Sequence, residues 1–194
     1  ADASVLPEDM LLAMPGEHNR LNAALAYEAL KAAGLTEEEI FAGLASFSGV
    51  EGRLQLVGTF DGVRVYNDNN ATTPQATKVA IEALKSDEKN ITLIAGGADK
   101  NIDSTALALA ISVSCKRVIL TPGSGTDALL LKLEEVGYKD VLVVDNLQVA
   151  VEEAKLATSV PEIILFSPAF ASFAQYKNEY ERNDEFMSYF ESYE

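Results

Sequence analysis

The chain of 194 residues contains one cysteine, Cys115, and one histidine, His18. A single thiol excludes a disulfide framework and any cysteine-rich metal site. A lone histidine, in a segment that reads as separate from the later loops, leaves no base for a Ser–His pair there. Basic residues are scarce: 15 Lys and Arg stand against 30 Asp and Glu, a formal net charge of −15. Nucleic acid is therefore not an expected partner, because neutralising phosphates needs a basic face. No apolar run is long enough to cross a bilayer, and the first residues lack the basic-then-apolar layout of a secretory signal. No membrane partner and a cytoplasmic home are expected. G-K-[ST] is also missing, so no P-loop is expected within the chain.

What is present is ordinary for a globular protein, with 48% apolar and 23% charged residues. An acidic surface is commonly a device for solubility. Should the ligands be anions, the few cations in loops become informative, and Arg53 and Lys100 are the ones to watch.

The most informative stretch is residues 61–74. Asp61-Gly62 lies between alternating apolar runs, a strong hairpin signal because Gly accepts positive φ. Pro74 suits the first helical position, where a missing N–H is harmless, and Thr73 can cap the donors ahead of it. The polar loop 67–73 is thus expected at the carboxyl end of a strand and the amino end of a helix. In open α/β sheets ligands bind at such places.

Ahead of this stretch, residues 9–14 (DMLLAM) read as a short buried strand ending at Pro15-Gly16. Residues 17–33 have a helical apolar period closed by Gly34, and Thr36-Glu37-Glu38-Glu39 is a capping box for a second helix to about Phe47. About 48 residues of this kind are too few for an independent fold. They are expected to be the tail of a preceding domain, with residues 49–194 forming a second. From Arg53 the pattern is regular. A hairpin over 53–67 leads to helix 74–86, strand 90–95, helix 103–114, strand 117–121 and helix 126–136. Strand 140–144, helix 146–158, strand 161–166 and a long helix from about 174 follow. Strands alternating with helices, and runs such as Ile163-Ile164-Leu165-Phe166, predict an α/β fold with a mainly parallel sheet covered by helices on both faces.

Four loops are expected at carboxyl ends of strands: 67–73, 96–103, 121–125 and 167–173. Gly96-Gly97-Ala98-Asp99-Lys100 offers flexible backbone and one cation, enough to hold a carboxylate or phosphate. Pro122-Gly123-Ser124-Gly125 lacks the spacing of a nucleotide fingerprint and reads as structural. Ser167, with no nucleophile elbow around it, reads as a hydrogen-bond donor to a ligand rather than a nucleophile. Asn19 and Asn22 are one helical turn apart, so both amides face one side and could read one planar ligand.

Together these loops carry Gly16-x-His18-Asn19-x-x-Asn22, Gly-x-x-x-Arg53, Asn67-Asp68-x-x-Ala71-Thr72, Gly96-Gly97-x-Asp99-Lys100 and Ser167-Pro168-Ala169-x-Ala171-Ser172-Phe173-x-Gln175-Tyr176-x-Asn178, then Glu181-Arg182. In that order and spacing the chain resembles the Mur ligase family, and within it the branch that adds D-glutamate to UDP-N-acetylmuramoyl-L-alanine in peptidoglycan precursor synthesis. The resemblance implies a Rossmann-like C-terminal domain preceded by the end of a central ATPase domain. It implies ATP with Mg as cofactors, the metal ligands lying outside this chain, and a monomeric full-length enzyme. The chain alone would then be inactive. By resemblance, Asn19 and Asn22 contact adenine, Asp68 the ribose and Arg53 the phosphates, while Thr72 and Lys100 hold one carboxylate of D-glutamate and Ser167 and Phe173 the other. Two positions depart from the family pattern: Gly52 stands where His is usual before the Arg, and Asn70 where Lys is usual two residues before the Thr. The loss of that Lys leaves a sister ligase for another amino acid as the alternative within the family. Outside it, the alternative is a nucleotide- or metabolite-binding module.

Overall fold

A computed structural model describes residues 2–190 of the protein. The chain divides into two compact units between Val50 and Glu51.

In the first unit, helices α1 (Glu17–Ala32) and α2 (Glu37–Ser46) pack around Leu6, Ala24, Tyr27 and Ile40. The Tyr27 and Phe41 rings stack at 5.5 Å. The capping box at α2 is formed as the sequence implies, with Thr36 and Glu39 satisfying each other's backbone donors,. Residues 9–14 are not a strand. The Arg20 guanidinium donates to the carbonyls of Leu6, Pro7 and Met10, holding the segment as an irregular loop with Leu11 87% exposed. A strand needs a neighbour to complete its ladder, and no strand lies in this unit among the described residues,.

The second unit is built on six strands: β1 (Gln55–Phe60), β2 (Val63–Asn67), β3 (Ile91–Gly96), β4 (Cys115–Thr121), β5 (Val141–Val143) and β6 (Ile163–Phe166). Their order across the sheet is β1-β2-β6-β3-β4-β5, with only β1 antiparallel to its neighbour. At the hairpin both Asp61 (φ 50°) and Gly62 (φ 83°) take the left-handed conformation that matches the strand twist,. Helices α3 (Pro74–Leu84), α4 (Thr105–Ser114), α5 (Ser124–Glu135) and α6 (Leu147–Ala157) connect the parallel strands.

The central strands alternate between two cores. Leu93, Leu120 and Leu165 face a core shared with α3, α4 and α5. Ile94, Ile119, Ile164 and Phe166 face the other, shared with α6 and the last helix, α7 (Glu179–Ser188). Each such side chain, fully removed from water, contributes about 1.5–3 kcal/mol. The α/β fold with helices on both faces is thus as expected. The last helix differs: it begins at Glu179, not near 174, after a short 3-10 turn at Ser172–Ala174. Asn178 ends the intervening loop by accepting the Glu181 N–H, a side-chain cap that starts the helix there,. The part of the expected helix beyond residue 190 lies outside the described residues.

Candidate functional site

Strand β6 inserts between β2 and β3, and the helix after it packs on the face opposite the helices that follow β2 and β3, so the sheet has its switch point there,. Three loops meet above it. Past the ends of the strands the ladder continues into them: Asp68 N–H donates to Phe166 O (2.7 Å), Ala169 N–H to Ala71 O (2.9 Å) and Gly96 N–H to Pro168 O (2.9 Å). Ala98 and Ala171 exchange both backbone hydrogen bonds. The loop after β4 joins them, with Gly125 N–H on Gly97 O and Asp99 N–H on Ser124 Oγ. A Cβ at Gly123 would overlap the Gly97 carbonyl, and one at Gly97 the Ala171 carbonyl. Gly123 and Gly97 thus admit the backbones of the loops after β4, β3 and β6 into one layer, a structural use for the glycine of Pro122-Gly123-Ser124-Gly125.

Two polar clusters emerge. The open one pairs Lys100 Nζ with Thr72 Oγ1 at 3.0 Å, Lys100 being exposed and Thr72 half-buried. Loops 28 residues apart in the chain thus place a cation and a hydroxyl side by side. The closed one surrounds Asp68. Its carboxylate accepts from Leu54 N–H (3.0 Å) and Ser167 Oγ (2.7 Å), and Ser167 Oγ lies 2.8 Å from Thr77 Oγ1. Burial raises the Asp68 carboxyl to about 6, against the pull of Ser167, Leu54 and Arg53. Leu54 sits at φ 47°, an unusual conformation for a branched apolar residue,. Next to it Arg53 is exposed and in none of the ion pairs among the described residues.

The Mur ligase glutamate ligase domain matches residues 52–170. The chain belongs to the Mur ligase family. A UDP-N-acetylmuramoylalanine–D-glutamate ligase from Latilactobacillus sakei is 39% identical over 174 residues, covering 90% of this chain and 37% of the relative. One of the same name from Roseiflexus is 38% identical over 180 residues, covering 92% and 38%. The chain therefore spans little more than a third of the length of these relatives. Solved structures share the fold. A UDP-N-acetylmuramate–alanine ligase of Thermotoga maritima has TM-score 0.65 at 20% identity, over 94% of this chain and 40% of that one. A folylpolyglutamate synthase of Mycobacterium tuberculosis has 0.63 at 21%, over 83% and 40%.

Against the Mur-type pattern, the expected site residues fall in distinct settings. Thr72 and Lys100 are brought together. Ser167 lies under the loops, wholly buried, its hydroxyl engaged by Asp68, while Phe173 is 72% exposed on the 3-10 turn. In the first unit Asn19 and Asn22 line one pocket of about 120 Å³ with Leu12, Met14, Ala26 and Phe47. Asn19 is buried and donates to Pro15 O (2.9 Å); Asn22 is exposed. The two departures from the family pattern touch each other. Asn70 donates its backbone N–H to Gly52 O (2.9 Å) and its amide to Glu51 O (3.1 Å), and a Cβ at Gly52 (φ 70°) would crowd that amide. They are one local arrangement rather than two separate losses.

Residues with no role assigned from the sequence complete the site. Arg182, 4% exposed on α7, donates to Asn69 Oδ1 (2.8 Å), Asn69 O (3.0 Å) and Phe170 O (3.2 Å), tying the loop after β2 to the loop after β6. All three acceptors are neutral, and burial lowers the guanidinium to about 10, so it stays charged at neutral pH. Thr77 supports Ser167, and Asn183 joins Asn67 to Glu51. The sequence signals for Arg182 are its place at the end of the motif series and a basic residue in an acidic helix, and neither names its partners.

Proposed function

We propose that this chain is the amino-acid-binding portion of an ATP-dependent ligase that adds D-glutamate to UDP-N-acetylmuramoyl-L-alanine in cell-wall peptidoglycan synthesis. The observation that carries the reading is the solvent-facing Lys100 beside Thr72 above the sheet's switch point, in a chain 39% identical to a D-glutamate ligase. A dicarboxylate on a protein of net charge −15 needs a cation held ready beside a donor,.

On this reading Lys100 and Thr72 hold one carboxylate. The loop from Ser167 to Phe173 holds the other, Ser167 exchanging Asp68 for the ligand. Orienting the amine is the chain's share of the chemistry. The substrate carboxylate attacks the γ-phosphorus of ATP and ADP leaves. The D-glutamate amine then attacks the acyl carbon, loses its proton, and phosphate departs. A small pocket with apolar walls, edged by Asn19 and Asn22, supports their assignment to adenine. Arg53 and Asp68 are assigned to the phosphates and ribose. Mg²⁺ would neutralise the phosphate oxygens, with its ligands outside this chain. Residues 1–48 are read as the end of the central ATPase domain. We place the enzyme in the cytoplasm as a monomer, working in the growth and division of the cell wall.

The test is amide formation by the full-length protein that carries this chain, with ATP, UDP-N-acetylmuramoyl-L-alanine and a panel of amino acids. D-Glutamate is the expected acceptor, and the 194-residue chain alone is expected to hydrolyse no ATP. A better acceptor than D-glutamate overturns the substrate assignment. ATP turnover by the isolated chain overturns its reading as one part of the catalytic apparatus.

A further inference from the structure

Arg53 sits in a strap, residues 51–55, that is held at every turn except at the arginine itself. Leu54 N–H is fixed by Asp68, Gly52 N–H by Gln55 Oε1 (3.1 Å) and Gly52 O by Asn70 N–H. The remaining anchor comes from a distant part of the chain. Asn183 on α7, 7% exposed, donates its amide to Glu51 Oε1 at 2.6 Å.

The orientation of that amide is forced by a relay of hydrogen bonds. Asn69 N–H donates to Asn67 Oδ1 (3.0 Å), which turns the Asn67 amide nitrogen toward Asn183. Asn67 Nδ2 then donates to Asn183 Oδ1 (2.8 Å), leaving the Asn183 nitrogen to face Glu51. Helix α7 is itself a firm base. Phe186 stacks on Phe166 of β6 with centroids 4.3 Å apart, and Arg182 is bonded to both neighbouring loops. A buried amide bonded at both its oxygen and its nitrogen tethers the Glu51 side chain two residues before the exposed arginine, which restrains the strap and lowers the entropy lost when an anion is bound,.

We propose that Asn183 is a positioning residue that sets Arg53 for an anionic ligand, by bridging the end of β2 to Glu51 at the start of the strap. This rests on the assignment of Arg53 to the phosphates of ATP. The bridge admits a test in which charge is exchanged rather than volume removed. Asn183→Asp keeps the oxygen that Asn67 needs but sets a carboxylate against Glu51 and releases the strap. Glu51→Gln alone still accepts from Asn183. In the double variant the amide introduced at position 51 can donate to the carboxylate introduced at position 183, restoring the bridge with the donor reversed.

The measurement is steady-state kinetics of the full-length protein carrying these changes, with unfolding midpoints taken alongside. Asn183→Asp is expected to raise KM for ATP about tenfold, the loss of one charge-assisted hydrogen bond, with KM for the amino acid within about twofold. Glu51→Gln keeps the acceptor but loses its charge and should raise KM for ATP no more than about threefold, and the double variant should return to within about twofold of the parent. In an Arg53→Ala background Asn183→Asp should add nothing, since its effect passes through Arg53. Equal rises in both KM values, or no rescue by Glu51→Gln, overturn the positioning role. If Arg53→Ala leaves KM for ATP unchanged, the phosphate assignment itself falls, a result distinct from failure of the bridge.

Discussion

The two polar clusters above the sheet use similar groups for opposite ends. In the closed cluster and beside it the polar groups meet inside the protein: the Asp68 carboxylate accepts from Leu54 and Ser167, Ser167 lies against Thr77, and Arg182 donates to Asn69 and Phe170. At Lys100 and Thr72 the groups meet each other at 3.0 Å and remain in reach of solvent. Buried polar groups are costly unless satisfied, so the closed cluster fixes the loops, and on the proposed function Ser167 and Asp68 engage a ligand only by exchanging a protein partner for it. The open pair keeps a charge that a ligand can engage without breaking the fold.

The comparison is broken most directly at Arg182. Arg182→Met removes the fork and leaves three buried acceptors of the two loops without donors. We expect a loss of about 3 kcal/mol in urea unfolding, the scale of a broken buried network. A variant as stable as the parent would show that the loops hold without it. Next in size is Lys100→Ala, which should separate binding from stability. KM for the amino acid should rise by the equivalent of about 1.5–3 kcal/mol in the full-length protein, the value of a hydrogen bond to a charged group. The unfolding midpoint should stay put, because the ammonium is exposed. A shift in stability without a shift in KM would place Lys100 in the architecture instead.

The smallest effect sharpens the comparison through pH. Burial lifts the Asp68 carboxyl from an ordinary 3.8 to about 6. Between those values the folded chain keeps a proton that the unfolded chain has released, so this group's stabilisation is full at the acid end and is lost as pH rises toward 6,. Asp68→Asn, which cannot titrate, should flatten the fall in stability over that interval. Unchanged curves for the two proteins would mean that Asp68 is already ionised throughout.

Much of the site was legible in the sequence because its signals are local. Asp61-Gly62 and the Thr73 cap with Pro74 each need only neighbours in the chain to take their conformation. The failures are as instructive. The segment 9–14 has the composition of a strand, yet a strand exists only where another offers a ladder. Sequence pattern places the start of the last helix near 174, but Asn178 supplies the capping oxygen and sets the start later.

The sequence by itself determined the alternation of strands and helices, the four loops at the strand ends and the family, since hydrophobic period, turn residues and motif spacing all lie along the chain. Only the tertiary structure decided which loops meet. Inserting β6 between β2 and β3 brings Ser167 against Asp68, 99 residues away, and Arg182 against Asn69, 113 away. The Ser167 hydroxyl is buried there, while Lys100 in the loop after β3 faces water. Strand order and burial are properties of the whole fold, and no local pattern carries them.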